Sequence, residues 1–227
     1  MGEDFDGLAA GWDDDPVRGE RAARVAERIR QQVPLDGSMQ VLEFGAGTGL
    51  LGFHLLSHVG RLTFADTSRS MLDEVERKLA AGGIDNADTL HIDEQGTAIA
   101  ADYDAIVSLM VLHHVRDPHA IVHRLVGRLK PGGHLIVCDL DQEDGSFHGP
   151  GADVHRGFPR AEMAALLRAC GLVDIVFSTP YIMRKQPRAA ARDADDRPRG
   201  RENDPADGAG LREYPLFLAS GRNPWPA

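Results

Sequence analysis

A glycine-rich turn between an apolar segment and a helical one constrains the fold of this chain more than any other feature. Residues 41–49 read Val-Leu-Glu-Phe-Gly-Ala-Gly-Thr-Gly and lead directly into a helix-like segment. The three alternate glycines, Gly45, Gly47 and Gly49, let the backbone approach a ligand closely and adopt conformations closed to other residues. The start of the following helix offers free N–H groups to a carboxylate, and Glu43 beside the turn suits a cation. The turn therefore predicts a ligand that carries both an amino and a carboxylate group.

The chain after the first 38 residues alternates strand-like and helix-like segments, as in βαβ units. The strand-like segments are 40–44, 61–65, 89–92, 103–108 and 134–138, and the helix-like segments are 50–58, 68–81, 120–129 and 159–169. This alternation predicts a doubly wound, Rossmann-like α/β fold with a mostly parallel sheet and helices on both faces. Ligands of such sheets bind beyond the carboxyl ends of the strands, near the switch in strand order.

The last quarter of the chain departs from this alternation. Segments 173–183 and 214–220 read as strands without a crossover helix, so they are predicted to be antiparallel neighbours. The segment between them, 184–212, is rich in Arg, Asp, Pro, Gly and Ala, and we expect it to be a mobile loop. The whole pattern predicts a seven-stranded sheet that ends in an antiparallel hairpin.

The N-terminal part reads as a helical lead-in. Residues 16–32 place apolar side chains at helical spacing behind Pro16, a residue that suits the first turn of a helix. We therefore expect an N-terminal helical cap over residues 1–38 and a ligand-binding domain over residues 39–227.

The net charge, the lengths of the apolar segments and the cysteine content argue against a nucleic-acid-binding, a membrane-spanning and a disulfide-rich protein. A formal net charge of −10 disfavours nucleic acid as a partner, because duplex binding needs clustered Lys and Arg. No apolar segment approaches the roughly 20 residues of a membrane span, and the acidic N-terminus lacks the features of a signal peptide. We expect a cytoplasmic protein without a membrane segment. Cys138 and Cys170 are too few for a disulfide framework, and the oligomeric state is left open.

Two acidic residues follow strand-like segments. Asp66, after the second segment, can accept hydrogen bonds from both ribose hydroxyls of a nucleotide. The alternative role is a helix cap, although Thr67 and Ser68 can serve as caps equally well. Asp93, after the third segment, is a candidate acceptor for the exocyclic amine of adenine or else part of a solvated turn.

A nicotinamide site is the rival interpretation of the glycine turn. Gly47-x-Gly49-x-x-Gly52 formally matches the dinucleotide fingerprint, whose third glycine packs helix on strand. Here the turn begins earlier, at Gly45, and Gly52 falls inside the helix-like segment. The alternate spacing therefore favours an adenosyl ligand with an amino-acid end.

Histidines supply the candidate acid–base groups. His114 follows the fourth strand-like segment and His148 lies in the acidic segment after the fifth, so both belong to the ligand-facing edge. Imidazole titrates near neutral pH, which makes either residue a candidate general base. No metal site is predicted, because the histidine pairs at helical spacing lack acidic or cysteine partners. Those pairs are His54 with His58 and His119 with His123.

With these residues in order, the chain resembles the class I S-adenosylmethionine-dependent methyltransferases. The motif Glu-x-Gly-x-Gly-x-Gly at 43–49 is similar to the family's first motif, and Asp66 to its ribose-binding acid. Residues 103–115 are similar to its fourth-strand signature. Residues 129–135, Leu-Lys-Pro-Gly-Gly-His-Leu, look like the turn before its fifth strand.

The resemblance implies S-adenosylmethionine as the cofactor and methyl transfer to a small-molecule acceptor by in-line displacement. The work of the protein would then be alignment and exclusion of water. Residues 5–18 resemble the start of bacterial small-molecule members, in which an N-terminal helix covers the cofactor. The expected cofactor-binding residues are Glu43, Gly45, Ala46, Gly47, Gly49, Asp66, Thr67, Met71, Asp93 and Leu109.

Other functions are compatible with the same pattern. The chain could bind S-adenosylmethionine as a non-catalytic sensor or partner subunit, with segment 184–212 ordering on a partner. An NAD-dependent oxidoreductase is a further alternative, and a tRNA methyltransferase is disfavoured by the acidic balance. The sequence does not identify the acceptor or which of O, N, C or S receives the methyl group.

Overall fold

A computed structural model describes residues 5–188 and 210–225. Within them, seven strands form one sheet: β1 Gln40–Phe44, β2 Arg61–Asp66, β3 Ala87–His91, β4 Tyr103–Leu109, β5 Leu129–Leu140, β6 Val173–Lys185 and β7 Arg212–Arg222. The helices are α1 Phe5–Leu8, α2 Pro16–Gln32, α3 Leu50–Leu55, α4 Arg69–Gly82, α5 Pro118–Val126 and α6 Arg160–Ala169, with 3₁₀ turns at Ala9–Asp14, Leu56–His58 and Leu112–His114.

The order of the strands confirms the predicted Rossmann-like fold. The sheet runs β3-β2-β1-β4-β5-β7-β6, and the switch in strand order lies between β1 and β4. Strands β1 to β5 pair in parallel, whereas β7 pairs antiparallel with both β5 and β6. The predicted antiparallel hairpin is therefore present, with its second strand inserted between β5 and the edge strand β6. The glycine turn after β1 lies at the switch point.

The burial of the two hairpin strands explains this insertion. Leu216, Phe217, Leu218 and Ala219 of β7 are all fully buried, so β7 is apolar on both faces and suits an interior position. Strand β6 leaves large apolar side chains such as Val176 exposed, as an edge strand can. Loop 184–212 is shorter than predicted, since β6 extends to Lys185 and β7 begins at Arg212, and its part at 189–209 lies outside the described residues.

The predicted lead-in helix is present over the expected residues. The Asp15 side chain caps α2 by accepting from the Val17 N–H at 3.0 Å, and Pro16 occupies its first turn. Its buried stripe, which includes Val25 and Ile29, joins the core on one face of the sheet. A second core lies on the other face, under α5 and α6. No helix in the described ranges is long and apolar enough to cross a membrane.

Candidate active site

The glycine turn that follows β1 adopts left-handed backbone conformations. Gly45, Gly47 and Gly49 have φ angles of +70°, +53° and +82°, which residues with a Cβ rarely adopt. The Gly45 N–H donates to the carbonyl of Ala65 at 2.8 Å and ties the turn to the end of β2. A Cβ on Gly45 would lie 2.4 Å from Val111 Cγ2. Both backbone conformation and space therefore demand glycine at position 45.

Glu43 is a carboxyl group buried beside this turn. Only 2% of the residue is exposed, and its Oε2 accepts a hydrogen bond from the Gly52 N–H at 3.0 Å. Burial raises the pKa of the Glu43 carboxyl to about 8. A Cβ on Gly52 would lie 2.4 Å from both Glu43 Oε2 and Phe64 Cε1, so Gly52 does pack helix closely on strand. The glycine at position 52 thus fits both motifs, and only Gly45, where the turn begins, separates the adenosyl motif from the dinucleotide fingerprint.

Asp66 is the last residue of β2 and faces the glycine turn. Its Oδ2 accepts from the Gly47 N–H at 2.7 Å, and its Oδ1 accepts from the Ser68 N–H at 2.8 Å. Burial raises the pKa of the Asp66 carboxyl above its ordinary value. A carboxylate has about four lone-pair sites, so each oxygen can accept a further hydrogen bond from a ligand hydroxyl.

The N-terminal segment lies against the same turn. Thr48 Oγ1 donates to Asp13 Oδ1 at 2.5 Å, and Lys78 Nζ donates to the Thr48 carbonyl at 2.7 Å while also pairing with Asp13. At the start of α4, the hydroxyl of the N-cap residue Ser68 donates to Asp6. These contacts hold the segment before α2 over the cavity.

Asp13→Ala is expected to loosen this segment without unfolding the sheet. The variant loses an ion pair and a hydrogen bond at a partly exposed site, which costs about 1–2 kcal/mol. Amide exchange over residues 6–15 should accelerate about tenfold. Asp14→Ala, which removes the neighbouring exposed carboxylate, serves as the matched control. Equal exchange rates in the two variants would contradict this role of Asp13.

Two arginines of α2 reach the cavity, and sequence reasoning missed both. The guanidinium of Arg18 lies 3.8 Å from the ring centroid of Trp12, and Arg18, Arg21 and Trp12 all line the cavity. Burial lowers the pKa of Arg21, and its Nε has no hydrogen-bond partner within the described ranges. The helical pattern assigns polar residues to a solvent face, so it gave no signal for an arginine with a buried Nε atom.

Most of the predicted site residues surround one cavity of about 1340 Å³ at the carboxyl edge of the sheet. The predicted residues that line it are Glu43, Gly45, Ala46, Gly47, Asp66, Thr67, Met71, Leu109 and His114. Gly49 does not line it but begins α3 as its N-cap residue.

Asp93 also stands apart from the cavity lining. Its carboxylate is exposed and accepts hydrogen bonds from the Thr97 N–H, at 2.8 Å, and from the Thr97 hydroxyl. This arrangement corresponds to the solvated turn, the second of the two roles that its sequence position allowed. The neighbouring Ile92 is buried and does line the cavity.

Three histidine rings, those of His113, His114 and His148, lie together beside the cavity. The ring centroids of His114 and His148 are 5.2 Å apart, and His148 is not among the residues that line the cavity. Burial is the main cause that lowers the pKa of His114 to about 3 and that of His148 to about 4, and the nearby His113 adds to both shifts. Both imidazoles are therefore neutral at neutral pH.

A buried His113–Asp139 pair is the chief feature that sequence reasoning missed. His113 Nδ1 lies 2.6 Å from Asp139 Oδ1, and both side chains are almost completely buried. Burial opposes ionisation of Asp139, but the attraction of His113 and several hydrogen bonds hold the pKa of this carboxyl below its usual range. The available signal was positional, because Asp139 lies at the end of β5 beside the end of β4.

Comparisons with known proteins agree with this geometry. Residues 42–135 match the family model described as a methyltransferase domain. An uncharacterized methyltransferase of Schizosaccharomyces pombe is 32% identical over 119 residues, which are 49% of this chain and 42% of that protein. The chain thus matches less than half the length of this relative. The ubiquinone biosynthesis O-methyltransferase of Xylella fastidiosa is 29% identical over 188 residues, covering 74% of this chain and 76% of that protein.

Among solved structures, the complex of DhpI with S-adenosylhomocysteine has a TM-score of 0.66 at 21% identity, covering 98% of this chain and 94% of DhpI. At this identity the likeness concerns the fold. The family match spans the glycine turn and Asp66, which the structure brings together at the switch point of the sheet. Over residues 42–135 the chain matches a methyltransferase domain, and its fold is that of a protein solved with S-adenosylhomocysteine, so the chain is similar to S-adenosylmethionine-dependent methyltransferases.

Proposed function

We propose that this protein transfers the methyl group of S-adenosylmethionine to a small-molecule acceptor by in-line displacement. One observation carries the proposal: two buried carboxyl groups, Glu43 and Asp66, and a wall that includes His114 line the same cavity. The carboxyl groups suit the cofactor, and the histidine wall suits an acceptor. The bound cofactor supplies a methyl group already activated by its sulfonium.

The residues present fit this cofactor. Asp66 has acceptor capacity left for ribose hydroxyls beyond its bonds to the backbone. Glu43 is a buried carboxyl that gains a partner when the ammonium group of the ligand arrives. Arg18 and Arg21 are cations on the cavity wall, where they suit the ligand carboxylate. Every charged group of the amino-acid end thus finds an opposite charge.

The acceptor side is assigned to the three histidines. His113 and His114 line the cavity, and His148 packs against both rings. A neutral imidazole nitrogen can accept a proton from an acceptor hydroxyl or amine. His114, on the cavity wall, is therefore the first candidate base, and His148, packed against its ring, is the second. The name of the Xylella fastidiosa relative, a ubiquinone biosynthesis O-methyltransferase, favours a hydroxylated acceptor.

Calorimetric titration of the full chain with S-adenosylmethionine, S-adenosylhomocysteine and NAD tests the cofactor. The adenosyl ligands should bind, and Asp66→Asn should weaken their binding at least about tenfold, because one charge-assisted contact to ribose is lost. Asp88→Asn, which removes an exposed carboxylate paired with Arg61, is the control.

Catalysis is tested separately from binding. Formation of S-adenosylhomocysteine with a panel of small hydroxylated aromatic acceptors supports methyl transfer. Binding without turnover across acceptors of all classes favours a sensor or partner subunit. Binding of NAD alone would overturn the proposal.

A further inference from the structure

Three histidines from two different loops converge beside the cavity. His113 and His114 lie on the 3₁₀ turn after β4, and His148 lies in the segment that follows β5. One ring nitrogen from each residue lies within 4.8 Å of the other two. The ring centroids are 4.1 to 5.2 Å apart. Three nitrogen donors at this spacing can reach one small ion.

Two of these rings present buried nitrogens that need a partner. Nε2 of His113 and Nε2 of His148 are both buried, and neither has a hydrogen-bond partner in residues 5–188 or 210–225. An unsatisfied buried polar atom costs about 1–3 kcal/mol, so native structures rarely keep two of them side by side without a ligand. Packing of the rings against each other does not remove this cost, because it gives neither nitrogen a hydrogen-bond partner.

Asp139 orients one of these nitrogens. Its Oδ1 lies 2.6 Å from His113 Nδ1, and the residue is fully buried, so the carboxylate holds the ring hydrogen on Nδ1. The backbone N–H of Leu140 also donates to Asp139 at 2.7 Å and fixes the carboxylate. The lone pair of His113 is then on Nε2, directed away from Asp139. A carboxylate–histidine pair of this kind is the usual outer support of a metal-ligating imidazole.

We propose that His113, His114 and His148 bind one divalent first-row transition-metal ion, with Zn²⁺ as the best fit. Three imidazoles with an open fourth position match catalytic zinc sites, whereas Mg²⁺ and Ca²⁺ prefer oxygen ligands. Zn–N bonds of about 2.0–2.1 Å bring ligand nitrogens to roughly 3.4 Å from each other. The rings therefore move together slightly when the ion binds. The sequence concealed this site because His148 lies on a different loop from His113 and His114.

The position of the site suggests what the ion does, and this part rests on the proposed function. His113 and His114 line the cavity, so the open coordination position is reached from the acceptor side. A hydroxyl of the acceptor that binds there loses its proton to solvent, because the ion favours the anionic oxygen. That oxygen then donates an electron pair to the methyl carbon. The sulfonium–carbon bond breaks with its pair on sulfur, leaving a neutral thioether and a methyl ether.

The test uses tag-free full-length protein, freed of metal by a chelator and titrated with Co²⁺ and Zn²⁺. We expect about one equivalent to bind, with the visible absorption of four-coordinate Co²⁺. His148→Gln should weaken binding of both metals at least about thirtyfold, and Asp139→Asn about tenfold or more. His155→Gln, a neighbouring histidine whose ring bonds to the Val115 carbonyl, is the matched control and should bind as the unchanged protein does.

Circular dichroism and thermal unfolding establish that each variant is folded, and Asp139→Asn provides a near-isosteric second probe if His148→Gln is unstable. The metal site is overturned if no Co²⁺ spectrum appears, or if His148→Gln and Asp139→Asn bind metal as tightly as the unchanged protein. The three histidines would then act as a general base or hold a bound water molecule. S-adenosylmethionine affinity is measured on the same samples. Metal binding without cofactor binding retains the site and rejects the proposed function.

Discussion

Glu43→Gln is expected to stabilise the ligand-free protein at alkaline pH while weakening its binding of S-adenosylmethionine. The folded-state pKa of Glu43 is about 8, against an ordinary value of 4.5. Between these values the unfolded chain has released the proton that the folded chain still holds. Stability therefore falls as pH rises through this interval, by up to about 1.4 kcal/mol per pH unit, and levels off above it. The total is on the order of 5 kcal/mol.

Denaturant unfolding at about pH 5 and about pH 8 measures this effect. The stability difference between Glu43→Gln and the unchanged protein should grow with pH. In calorimetry the variant should bind S-adenosylmethionine at least about thirtyfold more weakly, because the ammonium group loses its carboxylate.

In the unchanged protein, the pH dependence of cofactor binding also reports the ionisation of Glu43. Glu43 must ionise to pair with the ammonium, so cofactor binding should release a proton and tighten as pH rises toward 8. Glu27→Gln, an exposed glutamate of α2 that does not line the cavity, is the control and should alter neither property. If the stability of Glu43→Gln and that of the unchanged protein depend on pH in the same way, Glu43 is not a buried protonated carboxyl group.

Gly45→Ala is expected to lower stability by about 3 kcal/mol or more and to remove detectable cofactor binding. The left-handed backbone costs a residue with a Cβ about 1–2 kcal/mol. The new methyl group would also lie 2.4 Å from Val111 Cγ2 and 2.6 Å from Cγ1, and relieving such overpacking costs about 1–3 kcal/mol more. The turn that faces the cofactor must then shift.

Gly83→Ala is the matched control for this substitution. Gly83 ends α4 at a φ of +60° with open space around it, so an alanine there meets the backbone strain alone. It should cost about 1 kcal/mol and leave cofactor affinity unchanged. Adding Val111→Ala to Gly45→Ala should recover part of the stability. If Gly45→Ala and Gly83→Ala lose the same stability in chemical denaturation, the close packing against Val111 is not what selects glycine.

Local patterns determined most of the fold. Helix α2 begins at the predicted Pro16, and β1 matches its predicted bounds, because capping and apolar spacing act over a few residues. The place of β7 between β5 and β6 was not predicted. The position of a strand within a sheet depends on whether helices cover both of its faces. This is decided only when the helices pack on the sheet.

The meeting of the glycine turn with Asp66, at the proposed cofactor site, was also predictable, since these residues lie at fixed places in one βαβ unit. Gly45, Gly47 and Asp66 meet because parallel strands bring their carboxyl ends to one edge. The surroundings of Asp93, in contrast, depended on how its turn closes. Its carboxylate accepts a hydrogen bond from the Thr97 N–H, and the residue is not among those that line the cavity.

By itself, the sequence determined the Rossmann-like class, the glycine turn and the carboxyl that faces it, because each follows from short-range periodicity and backbone freedom. Only the tertiary structure decided the acceptor side. His113, Asp139 and His148 lie on different segments, and their approach follows from the pairing of β4 with β5, in which Leu109 faces Cys138. Burial then removes water from Nε2 of His113 and Nε2 of His148, so an adjacent histidine pair and a third histidine far away in the sequence form one cluster.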